Sequence, residues 1–219
     1  MPSMPRSDEV ATQVQRAGTK GVPRADREAQ ILRAAGEIFG TEGYAATSVA
    51  AVAERAGISK PLVYQYFGSK EGLFTACLHD SGVLVADEIE RIARGGAIGL
   101  ERGLLTLQGI FALLEPQKWR WRLFFDPTAP RDGAVAEEIA GYSRRLTALA
   151  EEGVGELMHL AGDDDPLDTS AMVKVWMTIV DALVTWWLDH PDQSAAEMTE
   201  RCVRLFEAVA HAEFPLAKA

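Results

Sequence analysis

TSVAAVAERAGISKPLVYQYFGSK, from Thr47 to Lys70, decides the fold. Two short helical segments meet at Gly57, and small or apolar residues stand where a helix-turn-helix needs them. Val52 and Ala53 precede the glycine, Ala56 and Ile58 flank it, and Val63 follows. Glycine takes a positive φ without a Cβ penalty, and Ala53 lets the second helix approach closely. Ser59 stands at an N-cap position. Pro61, which would break a helix interior, falls in the first turn, where its missing N–H is not needed. The spacing predicts a second helix over 60–67 that turns Val63 and Phe67 inward. Lys60, Pro61, Leu62, Tyr64, Gln65 and Tyr66 are left facing outward or flanking a ligand, a set that suits a DNA major groove. Lysine donates to guanine, glutamine pairs with adenine and apolar groups meet the thymine methyl, so base-edge contact is expected of Lys60, Pro61, Leu62 and Gln65. Ser69 caps the following helix, and Lys70 sits at that N-terminus, where N–H groups and a cation grip a phosphate.

Upstream, Ile31, Leu32, Ala35, Ile38 and Phe39 recur at three- and four-residue intervals. They predict an amphipathic helix from Arg24 to Glu42 that ends near Gly43. Arg24 and Arg27 near its start are either phosphate contacts or a solvated face.

These stretches together resemble the tetracycline-repressor (TetR) family of bacterial transcription regulators. The resemblance rests on Phe39, Gly43, Tyr44, Thr47, Val52, Ala53, Ala56, Gly57, Ile58, Ser59, Val63, Tyr64, Tyr66, Phe67, Lys70 and Leu73, over about residues 24 to 74. A weaker echo lies in the WWLDHPD run from Trp186 to Asp192. Pro61 departs from the small residue common at its place, and Gln65 occupies a variable reading position, which leaves the target sequence open. Together with donor chemistry, the resemblance implies that Thr47, Tyr64, Tyr66 and Lys70 position the head on phosphates. Ser59, at the start of the reading helix, joins the expected DNA-contacting set.

The net charge of −10 at first argues against nucleic acid. Its distribution does not: residues 1–70 hold 9 Lys+Arg against 7 Asp+Glu, or +2, and residues 71–219 hold 13 against 25, or −12. A small basic head on an acidic body binds DNA if its cations cluster at phosphates. Residues 1–22 lack apolar periodicity and read as a disordered arm, in which Arg6, Arg16 and Lys20 either follow a minor groove or are merely solvated. The arm lacks the apolar centre of a signal peptide. The longest strongly apolar stretch, Val175 to Leu188, is shorter than the roughly 20 residues a membrane span needs. A cytoplasmic protein without a membrane partner is expected. Cys77 and Cys202 have no metal-ligand or CxxC spacing and read as reduced, partly buried thiols.

In the remainder, a helix from Ser69 to about Arg94 is expected to turn Leu73, Phe74, Cys77, Val83, Leu84 and Ile89 inward and to act as the lever between body and head. Gly95 and Gly96 end it. Leu100 to Glu115 predicts a helix with Leu104, Leu107, Ile110, Phe111 and Leu114 inward, stopped by Pro116. Trp119 to Phe125 is short and aromatic. Asp132 to Ala161 predicts a long helix weakened by Gly141, Gly153 and Gly155, and the Asp163-Asp164-Asp165-Pro166 run reads as a solvated loop without EF-hand spacing. From Thr169 to Asp189, Lys174, Thr178, Asp181, Thr185 and Asp189 gather on one narrow stripe while apolar residues cover the remaining arc. Such a helix has two faces to bury, one against its own domain and one against a second copy of the chain. The last helix, about Ser194 to Glu213, offers Ala195, Met198, Cys202, Leu205, Phe206 and Val209 as a narrower stripe toward the same contact. The resemblance agrees, since the last two long helices of the family commonly dimerise.

Phe111, Trp119, Trp121, Phe124, Phe125, Tyr142, Met158, Trp176 and Trp187 are the candidate walls of an apolar cavity, because the family encloses an inducer in this region. Plain core is the competing reading for each. His159 is a candidate polar contact there, with a surface or core position as its alternative. Catalysis is not expected: the chain has no GxSxG elbow, HExxH pair or phosphate-cradling glycine loop, and its four histidines are dispersed without metal spacing. No cofactor or metal is expected.

The expected architecture is all-α: a disordered arm (1–22), a three-helix helix-turn-helix DNA-binding domain (23–70) and a larger helical ligand-binding and dimerisation domain (71–219). The expected function is a dimeric repressor that leaves a palindromic operator when a small, largely apolar ligand binds. A DNA binder without an effector, or an activator of the same fold, are the alternatives.

Overall fold

A computed structural model describes residues 21–211, and all the regular structure among them is helical. The expected arm, with Arg6, Arg16 and Lys20, lies outside the described residues except for its last two, as does Glu213 at the expected end of the final helix. α1 (Arg24–Ala46) is broken at Gly43, where φ is 82°, and the Thr47 hydroxyl closes it by donating to the Gly43 carbonyl at 2.8 Å. α2 (Val49–Arg55) begins at Ser48, whose side chain accepts from the Ala51 N–H. It ends in the turn at Gly57, where φ is 63° and the Ile58 N–H donates to the Ala53 carbonyl at 2.9 Å. α3 (Lys60–Phe67) starts after Ser59, which has the extended cap conformation, but its hydroxyl makes no capping bond. Ser69 does cap α4 (Lys70–Ala93), accepting from the Gly72 N–H at 2.9 Å. These four helices bury Ile31, Phe39, Val52, Val63, Leu73, Phe74 and Cys77 in one core. The Phe74 ring stands edge-on to both Phe39 and Tyr44.

α5 (Gly99–Leu114) is the centre of the body. Its Leu107, Ile110, Phe111 and Leu114 are buried with Val180, Val184 and Trp187 of α8 (Pro166–Leu188) and Met198 and Cys202 of α9 (Ala195–Ala210). α9 opens with a capping box between Ser194 and Glu197, which satisfies two N-terminal N–H groups reciprocally. α7 (Gly133–Leu160) crosses both α4 and α8, and the short α6 (Trp119–Arg122) lies between single 3-10 turns at 115–117 and 123–125.

Two expectations about helix faces change. In α4 the inward line past Cys77 runs through Leu78, Ser81, Gly82, Val85 and Ala86, while Leu84 is exposed and Val83 half-buried. The reason is a close helix crossing: a Cβ on Gly82 would stand 2.4 Å from the Tyr142 ring of α7, so part of the contact line is made by Ser81, Gly82 and Ala86, small residues with little apolar signal. In α9, Ala195, Met198 and Cys202 are fully used inside their own chain, and Leu205 and Val209 remain exposed. α8 extends beyond the apolar stretch to 23 residues and, among the described residues, is the one helix long and apolar enough by length and composition to cross a membrane. Lys174 and Asp181 interrupt its middle, and Val180, Val184 and Trp187 bury one side of it in the bundle.

The α1 to α6 contact is a close one. A Cβ on Gly36 would fall 2.1 Å from the Trp119 ring, and one on Gly40 would fall 2.6 Å from the Trp119 Cβ. Gly155 of α7 has open space where its Cβ would be. Alanine at a helical glycine ordinarily gains about 1 kcal/mol, whereas overpacking costs about 1–3 kcal/mol. Gly36→Ala is therefore expected to destabilise the protein and Gly155→Ala to stabilise it, in urea titrations at one protein concentration. Equal signs would contradict the packing described.

Candidate DNA-reading surface and effector cavity

α3 presents the outward face expected of it. Lys60, Pro61, Tyr64 and Gln65 are exposed, Leu62 and Tyr66 half-buried, and Val63 is the anchor. Lys60 Nζ lies 5.9 Å from the centre of the Tyr64 ring, and the Arg24 guanidinium packs 5.3 Å from that of Tyr66. Neither Lys60 nor Lys70 is in a salt bridge among the described residues. Lys70 Nζ stands 4.5 Å from the Tyr44 ring centre and 3.3 Å from the Ala45 carbonyl, at the junction of α1 with the start of α4. Thr47 is buried, with its proton held by Gly43, and Ser59 is exposed. Arg27 is buried beside Gln30, whose amide donates to the Ala56 carbonyl at 2.8 Å, so this arginine braces α1 against α2 rather than reaching outward.

In the body, a cavity of about 600 Å³ lies among α4, α5, the α6 segment, α7 and α8. That volume is in the range of small-molecule sites. Of the nine expected wall residues, Trp121, Phe124, Phe125, Tyr142 and Trp176 line it. The other four are placed elsewhere. Phe111 and Trp187 pack edge to face in the α5–α8 core, with the Trp187 indole donating to the Gln193 carbonyl at 2.8 Å. Trp119 faces α1, and Met158 packs on a small cluster around Val154 and Val173. His159 is exposed, its Nδ1 2.7 Å from Asp164, whose hydrogen bond and charge push the imidazole above its ordinary value. Burial, with Glu138 beside it, pushes the Tyr142 phenol up, so it stays protonated and donates to the His79 carbonyl at 3.1 Å.

Sequence reasoning missed two groups of this site. Arg102 is a buried cation in the cavity wall, held by Glu152 at 3.2 Å and Glu156 at 3.6 Å. Its only signal is an arginine on the α5 face that also carries Thr106, one turn on. Asp126 and Thr128 join the body to the head. Asp126 accepts from the Tyr44 N–H, Thr128 Oγ1 accepts from the Ala45 N–H at 3.0 Å, and Thr128 is itself held to Asp126 at 2.7 Å. No local pattern announces bonds between groups 82 and 83 residues apart.

The family model for bacterial regulatory proteins of the tetR family matches residues 31–77, from α1 through α2 and α3 into α4. Those residues carry the N-terminal DNA-binding region that the tetR family model describes. One relative, the HTH-type transcriptional activator FasR of Mycolicibacterium smegmatis, is 30% identical over 137 residues, which is 63% of this chain and 61% of that relative's length. A TetR-like regulator from Rhodococcus sp. RHA1 superposes with a TM-score of 0.65 at 23% identity, covering 88% of this chain and 100% of that one. FadR from Bacillus subtilis, solved with stearoyl-CoA, does so with a TM-score of 0.70 at 17% identity over 85% of this chain and 99% of its own. At these identities the two structures are likenesses of fold.

Asp126→Ala removes the acceptor of the Tyr44 N–H and the anchor of Thr128 together. Amide hydrogen exchange at residues 44 and 45 should accelerate about tenfold or more, since a lost hydrogen bond with an orphaned donor is worth roughly 1–3 kcal/mol. Exchange in α3 should change little; unchanged rates at 44 and 45 would count against the join.

Proposed function

We propose that this chain is a TetR-family, sequence-specific DNA-binding transcription regulator whose head reads a two-fold operator as part of a homodimer. It is released from DNA when a small, largely apolar molecule occupies the body cavity. The observation that carries the reading is the double duty of residues 119–128. Trp121, Phe124 and Phe125 line the cavity, and Trp119, Asp126 and Thr128, between and beside them, hold α1 at the notch of Gly36 and Gly40 and at its C-terminal end. A ligand that moves the cavity wall therefore moves the seat of the head. To change occupancy strongly it must prefer the released form by a few kcal/mol. Such a role is exercised in the cytoplasm, with the DNA.

The dimer is supported by apolar side chains left exposed on two elements consecutive in the chain: Val175 and Trp186 of α8, and Leu205 and Val209 of α9. A two-fold dimer places two α3 helices about one DNA turn apart and so asks for two-fold DNA. Domain limits of 23–70 and 71–219 follow on this reading, with α4 shared across the boundary. Activation is the second reading, favoured by the 30% identity to a relative that is named an activator.

Selection of bound duplexes from a random pool at near-physiological salt should enrich a two-fold symmetric motif. Failure to enrich any motif with folded, dimeric protein would remove the specific-binding reading, and sedimentation showing only monomer at micromolar concentration would remove the dimer. On the selected site, Lys70→Ala should weaken specific and random DNA alike and lower the salt slope by about one, while Gln65→Ala should mainly relax sequence preference. Equal effects of both variants on both DNAs would contradict these roles.

A further inference from the structure

Two residues of the cavity wall carry a buried polar atom that has no partner among the described residues. Trp121 is 8% exposed, and its indole Nε1 has no hydrogen-bond partner among the described residues. Asp181 of α8 also lines the cavity; its side chain is half-buried, and its Oδ1 is inaccessible and has no partner among the described residues. Buried polar groups are nearly always paired, so an orphaned donor and an orphaned acceptor on one cavity point to a missing partner. The cationic groups of the wall do not supply it. Arg102 is already engaged by Glu152 and Glu156, and Lys174 is exposed.

We propose that Trp121 and Asp181 select the polar head of the ligand, and that the cavity takes an apolar alcohol in preference to a carboxylic acid. A hydroxyl is the smallest group that can both accept from an indole N–H and donate to a carboxylate. A carboxylate has no proton to give Asp181, repels it, and would have to displace two glutamates to reach Arg102. The inference rests on the cavity being the effector site.

The test uses three probes of one chain length, 1-decanol, decylamine and decanoate, below their aggregation limits. Each displaces the neutral dye Nile red from the full-length protein at pH 7. Decanol and decylamine should each bind at least about tenfold more tightly than decanoate, as expected when a hydrogen bond to a charged group replaces a charge repulsion. Asp181→Asn should remove the advantage of decylamine over decanoate. Trp121→Phe should weaken decanol several-fold while leaving decylamine nearly unchanged, because only the alcohol needs the indole donor. Circular dichroism and sedimentation confirm that each variant keeps its helices and its assembly state; if Asp181→Asn loses either, Asp181→Ser serves in its place. Decanoate binding as well as decanol, or an order that survives both substitutions, overturns the head-group proposal and leaves the effector site standing. If Nile red does not bind, or no probe displaces it, the effector site itself falls, and this proposal with it.

Discussion

Trp119 sits in a notch of α1 that exists because Gly36 and Gly40 have no side chains, and the rest of the molecule is arranged around that seat. An indole approaching a helix backbone this closely excludes even one methyl group, so the distance between head and body is set by hard contact rather than by a flexible linker. α4 gives the second connection, a continuous helix that starts in the head at Ser69 and ends beneath α5. A head held at two points by rigid elements has few arrangements available. That is the condition under which a small change at one point is passed on rather than absorbed.

The same segment accounts for the division of labour between polar and apolar groups. Asp126 and Thr128 engage backbone N–H groups that the break at Gly43 leaves without intrahelical partners, so the irregularity in α1 and the bonds from the body are one feature. Next to them, Trp121 and Phe125 face a cavity and cannot be held by close packing on that side. Ionic contacts brace the cavity's outer helices: Arg120 to Asp80 at 2.6 Å ties α6 to α4, and Arg145 to Asp87 and Glu90 ties α7 to α4. The acidity of the body is thus partly structural. The head, by contrast, leaves Lys60 and Lys70 outside any ion pair among the described residues.

The head was legible because its determinants are local. Gly57 supplies a positive φ, Ser48 and Ser69 cap, Pro61 falls in a first turn, and Val52 and Val63 mark the inward face; each can be recognised within a few residues of sequence. The cavity was legible only in part. Trp119, Trp121 and Trp187 look alike as aromatic residues at helical spacing, yet one fills the α1 notch, one faces the cavity and one is core. Which partner stands opposite an aromatic ring is a matter of helix crossing, and periodicity carries no information about it. Small residues hide contacts for a related reason: Ser81, Gly82 and Ala86 make the α4 contact line by being small, so a search for apolar residues shifts the face toward Leu84.

The sequence by itself determined the helical character of the chain, the boundaries of its long helices to within a few residues, the helix-turn-helix and its outward side chains. It did so because turns, caps and 3.6-residue periodicity are properties of neighbours along the chain. Only the tertiary structure decided which aromatics enclose space and which fill it, that Arg102 and Asp181 enter the wall, and that Asp126 and Thr128 bind α1. Those outcomes depend on groups tens of residues apart reaching within hydrogen-bond or van der Waals distance, which the angles at which helices cross determine.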